Sequence, residues 1–384
     1  MRESKESRTS PAISRRAKSL VLLAGLVGII GCAGPKNLVD VDTTVPVESV
    51  PDVSMHKIYI ATSRTPSDDP GEFFSGERGE GLRFASVEVS IPRNRQPGTI
   101  SIPSRPPADP EKHFVIDDPA LFRERAEFRS DLTAYLRGLP ADRRDVILYV
   151  HGYNTNTTAA ILQIAQFVED TGYKGVPILF TWASSANTLK YVYDMNSALV
   201  ARDHLVSMFE TMNIPAVKGY DVVAHSMGTF LVMEASRQIV LTTGLNPTGK
   251  VKNVILAAPD IDIDLFKAQI KLIPENQRNI VVLVSSDDKA LRASKRVAGG
   301  ISRVGQTPIE ELASLGVIAV DLSAVDDTDS LSHAKFKNSP EVVQLIGNSM
   351  KSRQSFNQRP SLGFGKALAV TVEGTVGVVT PSLD

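Results

Sequence analysis

Apolar residues in this chain alternate between two spacings. Residues 146–150 (VILYV) form a short unbroken apolar run, as expected of a strand buried on both faces. Residues 157–170 instead place Ile161, Ile164, Ala165 and Val168 at i, i+3, i+4 and i+7, one face of a helix. The alternation then repeats. Strands are predicted at 176–182, 220–224, 251–258, 280–285 and 316–322, and helices at about 195–212, 227–241, 261–272, 289–298 and 339–351. Six strand–helix pairs imply right-handed crossovers and a mostly parallel central sheet with helices on both faces, an α/β fold. In such sheets the chemistry gathers at the carboxyl ends of the strands.

The preceding part is less regular. Residues 57–63 (KIYIATS) read as a first strand and 85–91 as another, within a Pro- and Gly-rich stretch over 65–112. The expectation is a domain over 55–351 whose first part, 55–119, is an irregular, partly antiparallel opening. Residues 352–384 show no sustained amphipathic pattern and are expected to be a flexible tail, with one added strand at 368–372.

Arg2, Lys5, Arg8, Arg15, Arg16 and Lys18 precede the apolar run 20–30 (LVLLAGLVGII), which is too short to span a bilayer comfortably. Residues 1–31 therefore read as a signal peptide and 32–54 as a tether. The run ends in Ile29-Ile30-Gly31-Cys32, which resembles the bacterial lipobox. That resemblance implies that Cys32 is lipidated and becomes the N-terminus, anchoring the chain to a membrane of the cell envelope. Ala33 stands where an Asp would favour retention at the inner membrane, which points to the outer membrane, facing the periplasm. The alternative is a cleaved peptide or plain anchor with an incidental cysteine.

Composition narrows the function classes. Of 384 residues, 42% are hydrophobic and 22% charged, which excludes a disordered, collagen-like or multi-span membrane chain. Residues 1–31 hold six basic and two acidic side chains, so the remainder carries −5. With no basic excess or stripe, no nucleic-acid partner is expected. Cys32 is the only cysteine, so no intramolecular disulfide can form and no thiolate metal site can be built. There is no H-E-x-x-H, and no metal or organic cofactor is implied. Asp260, Asp262 and Asp264 alternate before a helix and read as solvated acids rather than a calcium site.

The sharpest chemical signal follows the strand at 220–224. Ala224-His225-Ser226-Met227-Gly228 is the small-x-Ser-x-Gly pattern of a nucleophile elbow, set between a strand and a helix. The turn is strained, so the Ser needs tiny neighbours, and it presents the hydroxyl for attack. A hydroxyl near neutral pH needs a base and an orienting carboxylate. In this arrangement the chain order is Ser, acid, His, and His333 is the only histidine after Ser226. Asp288, after the penultimate strand, is the first choice of acid. Asp287 beside it and Asp260 after the preceding strand are the alternatives, each also able to cap a following helix. Oxyanion donors are expected from the Met227 amide and from the loop His151-Gly152-Tyr153-Asn154, with the Tyr153 amide the second donor. Gly152 would permit that turn, and His151 reads as structural. Asn154 would brace the loop or touch substrate, and Trp182 would wall the pocket or sit in the core.

Several segments together resemble a bacterial family of α/β-hydrolases of unknown function, classed with esterases and lipases. They are IATSR from Ile60, VHGYNT from Val150, FTWAS from Phe180, AHSMG from Ala224, APDID from Ala258 and SSDDKAL from Ser285. The likeness runs from about 56 to 347, with Ala183 where that family usually has Pro after the Trp. The resemblance implies the α/β-hydrolase fold and a Ser-acid-His triad, and favours Asp288 as the acid. It implies no substrate.

The leading expectation is thus a serine hydrolase acting on a small acyl ester or an envelope-derived substrate. A tethered binding or scaffold protein on the same fold is the competing class. Only about 20 residues separate the strands at 251–258 and 280–285, so no large cap domain is expected. The pocket should be shallow, or covered by 65–112.

Overall fold

The computed structural model describes residues 37–242, 244, 246, 248–327, 331–351 and 377–379. Their strands are β1 (Ser54–Pro66), β2 (Phe74–Ile91), β3 (Val115–Phe122), β4 (Val146–Val150), β5 (Val176–Thr181), β6 (Tyr220–His225), β7 (Val251–Ala257), β8 (Ile280–Val284), β9 (Ile318–Asp321) and β10 (Gly377–Val379). They form one sheet in the order β10-β9-β8-β7-β6-β4-β5-β1-β2-β3. The six strands from β4 to β9 run parallel, as their unbroken apolar runs predict, and β1 joins β5 in the same direction. β2 and β3 are antiparallel additions at one edge, and β10 is one at the other.

The helices are α1 (Arg125–Gly138), α2 (Thr157–Thr171), α3 (Tyr191–Met212), α4 (Met227–Thr242), α5 (Ile263–Ile270), α6 (Lys289–Val297), α7 (Ile309–Ala313), α8 (Lys335–Asn338) and α9 (Pro340–Lys351). The strand period of two sorts the core. Val146, Leu148 and Val150 pack with Phe128, Leu205, Leu231 and Phe266, from α1, α3, α4 and α5. Ile147 and Tyr149 face the other way, toward Ile161 and Phe167 of α2 and Ile346 of α9. Helices therefore cover both faces, and between β7 and β8 the chain holds only α5 and a short 3-10 turn.

Two features depart from expectation. The opening is more regular than predicted, because β1 and β2 pair over a long antiparallel ladder. Helix α1 was not predicted, since only Phe128, Leu132 and Leu136 are buried among charged neighbours. Its Phe128 sits among the rings of Tyr59, Phe84 and Phe122. The added edge strand is at Gly377–Val379, whereas the expected 368–372 lies outside the described residues, as do Cys32 and the segment 1–31. No helix among the described residues is long and apolar enough to cross a membrane.

Candidate active site

The loops after β4, β8 and β9 carry Tyr153, Asp288 and His333, and β6 is followed by Ser226. This residue lies between β6 and α4 with φ 53°, the left-handed region, where a side chain costs about 1–2 kcal/mol. The turn is held from several sides. Ser226 N–H donates to Ala257 O at 3.0 Å, and Ser226 O accepts from Thr229 N at 3.1 Å, Thr229 Oγ1 at 2.6 Å and Asp260 N at 3.3 Å. Two glycines let other backbone approach. A Cβ on Gly228 would lie 2.3 Å from His151 O, and one on Gly152 would lie 2.8 Å from Ser226 Cβ. Gly152 is thus needed for close packing against the elbow. The left-handed turn falls instead on Asn154, at φ 55°.

This packing sets Tyr153 next to the residue that touches Ser226. Met227 opens α4, so its N–H has no carbonyl one turn earlier within the helix. The two amides thus follow directly in the chain on Gly152 and Ser226, the two residues that approach each other here. Asn154 braces the loop through its backbone, donating N–H to Asp194 Oδ2 at 3.2 Å.

His333 lies in the loop between β9 and α8. Its Nδ1 meets Asp288 Oδ2 at 2.6 Å. With the Nδ1 proton directed at the carboxylate, Nε2 is the nitrogen that can accept one. The loop is also fastened beside the elbow, because His225 Nε2 donates to His333 O at 3.1 Å and the two rings lie 4.8 Å apart. Burial first, then the neighbouring His333, hold His225 well below the ordinary histidine range, so it stays neutral. Asp288 is fully buried, and its Oδ1 caps α6 by accepting Leu291 N at 2.9 Å. One carboxylate oxygen of Asp288 thus caps α6 while the other meets His333.

The alternative acids point elsewhere. Asp287 pairs with Lys335 Nζ at 2.8 and 3.0 Å and accepts from Ser285 Oγ. Burial raises its pKa, but hydrogen bonds from Lys335, Ser285 and Ser332 outweigh that and hold it below the usual carboxylate range. Asp260 accepts from Tyr191 OH at 3.0 Å and Ser294 Oγ at 2.5 Å, with Arg303 Nε 3.2 Å away. Asp260 is buried rather than solvated, and the cap on α5 is Asp262. Trp182 is wholly buried, stacked on His151 with ring centroids 5.1 Å apart, and its Nε1 donates to His151 O at 2.9 Å. It supports the loop after β4 from within the core.

Sequence reasoning gave no role to three side chains that shape this region. Arg64, at the end of β1, is fully buried. Its guanidinium reaches Thr181 Oγ1 at 2.8 Å, Ser75 O at 3.1 Å, Ser184 O at 3.0 Å, Thr155 O at 2.7 Å and His151 Nε2 at 3.3 Å. Five donors thus meet five uncharged acceptors, drawn from three separate segments. Burial lowers its pKa only to about 10, so it stays cationic at neutral pH. Asp194, buried in the first turn of α3, accepts from Ser184 Oγ at 2.5 Å and Ser185 N at 2.8 Å. Lys335 also reaches Leu322 O and Ser323 O at 3.1 Å each, tying the His333 loop to the end of β9.

His151 gives this region a pH signature. Burial, then the Arg64 charge, push its pKa down to about 3. The unfolded chain protonates it near 6.5, so between those values the unfolded state holds the extra proton. Its contribution to stability is full above pH 6.5 and is lost as pH falls toward 3, at up to about 1.4 kcal/mol per pH unit. Asp221, which burial raises to about 7, acts in the opposite direction over the same range. Comparison with a His151→Gln variant isolates the histidine. Urea midpoints measured at pH 7.5 and 5 should fall less in the variant.

Among the described residues no group of three or more His, Cys, Asp or Glu could hold a metal ion. An apolar cavity of about 220 Å³ opens between α3 and α4, but toward Tyr220, at the opposite end of β6 from Ser226. No curated protein matches the chain. Residues 124–349, more than half of it, match the family described as alpha/beta hydrolase of unknown function (DUF900). That span holds every candidate discussed above from Tyr153 to His333, while Arg64 and the antiparallel edge lie before it. With the sheet order, the elbow and this match in hand, the chain belongs to that family of α/β-hydrolases.

Proposed function

We propose that the protein is a serine hydrolase that cleaves an ester or related acyl bond. The observation that carries this reading is the 2.6 Å contact between His333 Nδ1 and Asp288 Oδ2, on a loop fastened to the residue preceding Ser226. Ser226 Oγ attacks the acyl carbonyl while His333 Nε2 takes its proton. The Met227 and Tyr153 amides receive the negative charge that develops on the carbonyl oxygen. Asp288 keeps the imidazole in the reactive tautomer and stabilises its charged form. His333 then passes the proton to the leaving alcohol, and water, activated by the same histidine, releases the acyl group. The absence of a cap-sized insertion before β8 favours small or accessible substrates. In this reading the chain acts in the bacterial envelope, held by acyl groups on Cys32 at the outer membrane.

The test is fluorophosphonate labelling with peptide mass spectrometry. Rapid modification at Ser226, abolished in His333→Ala, is the expected result. A folded chain that takes no label at Ser226 overturns the proposal and leaves a binding or scaffold role on this fold.

A further inference from the structure

Residues 289–303 carry five basic side chains and no acidic one. Most of this segment is α6, whose Leu291 and Ser294 are buried while Arg292 and Arg296 are exposed. Val297, at its end, is 65% exposed, and Ile301, beyond Gly299-Gly300, is 41% exposed. Single exposed aliphatics are ordinary, but these have company. Tyr191 OH meets Ser294 Oγ at 3.0 Å, bringing the start of α3 against α6. Beside Tyr191, Leu189 is 81% exposed and Val192 57%. Val297 lies one helical turn from Ser294, so exposed aliphatics flank this contact from both elements. The same Tyr191 donates to Asp260, whose N–H holds the Ser226 carbonyl. Tyr191, beneath the rim, is thus linked through Asp260 to the candidate nucleophile.

Arg303 is buried against Asp260, and the cations on this rim are Arg292, Lys295 and Arg296. Arg292 donates to Asp287 O and Lys295 to Ser302 Oγ, both uncharged. Among the described residues, no ion pair engages Arg292, Lys295 or Arg296. Protruding aliphatics beside unpaired cations suit a surface that is anionic outside and apolar beneath. We propose that Leu189, Val192, Val297 and Ile301, with Arg292 and Arg296, form a rim that docks the domain on an anionic lipid bilayer, placing the Ser226 site beside the membrane. This docking is independent of whether Ser226 hydrolyses esters.

The test uses the full chain with Cys32→Ser and Val297→Cys, labelled at position 297 with a nitrobenzoxadiazole dye. The dye reports its own immersion even if the first 36 residues also bind vesicles. With vesicles of equal phosphatidylglycerol and phosphatidylcholine, its emission should rise and shift to the blue. Pure phosphatidylcholine should leave it unchanged, and high salt should reverse the response. Adding Arg292→Gln, Lys295→Gln and Arg296→Gln should weaken the response about fivefold per lost cation, on the order of a hundredfold in lipid concentration for all three. Unchanged emission while the chain pellets with anionic vesicles overturns the proposal, as does an equal response to both lipid mixtures.

Discussion

Ser226→Ala is expected to lower kcat toward an activated ester about a million-fold, the scale of loss when a serine nucleophile is removed. The fold should not suffer. Ser226 Oγ makes no hydrogen bond to a described residue, and the turn is held by the main chain and by Thr229. Stability should therefore stay within about 0.5 kcal/mol of the parent. Ser226→Gly sharpens the test. Glycine adopts φ 53° freely, so this variant should be equally inactive, yet stabilised where the strain of about 1–2 kcal/mol exceeds the added chain entropy. Inactivity combined with an unchanged or raised melting temperature would place the loss in chemistry. Retention of even one part in a hundred of the activity by Ser226→Ala, about 10⁴ above the level expected for a missing nucleophile, would end the serine-hydrolase reading.

Much of this architecture was legible because the parallel strands and their helices carry different periods. A run such as VILYV has no polar face, and its neighbour Thr157–Thr171 repeats on a helical spacing. The elbow was legible for a related reason: steric crowding admits few residue types, and Gly228 would strike His151 O if it carried a side chain. What escaped depends on partners distant in sequence. Nothing near Arg64 announces that a strand-end arginine will be buried, because its acceptors come from residues 75, 151–155, 181 and 184. Asp194 reads locally as an ordinary acid near a helix start. Helix α1 hid because three buried positions among many charges make a weak pattern. Between Asp287 and Asp288 the local sequence offers two adjacent acids, and only the fold shows which of them meets His333. Asp288, the N-cap of α6, offers one carboxylate oxygen to Leu291 N and the other to His333 Nδ1.

That geometry makes Asp288→Asn the second decisive variant, with an expected fall in kcat of about 10⁴. Asn keeps the shape, and its carbonyl oxygen can still cap α6 through Leu291 N. Its amide, however, would donate to His333 Nδ1 and leave the proton on Nε2. The imidazole would then face Ser226 with a donor where an acceptor is required. The neighbouring acids separate a local effect from a general one. Asp287→Asn deprives the buried Lys335 of its carboxylate partner and should cost about 1–3 kcal/mol of stability, with a much smaller loss of kcat. Asp260→Asn weakens the link among Arg303, Tyr191 and Ser294 but leaves the Asp288–His333 contact in place. Steady-state kinetics on all three, with unfolding midpoints beside them, would rank the acids directly. If Asp260→Asn proved the inactive variant while Asp288→Asn kept its rate, the orienting role would pass to the end of β7. The Asp288–His333 contact would then serve only to hold the loop.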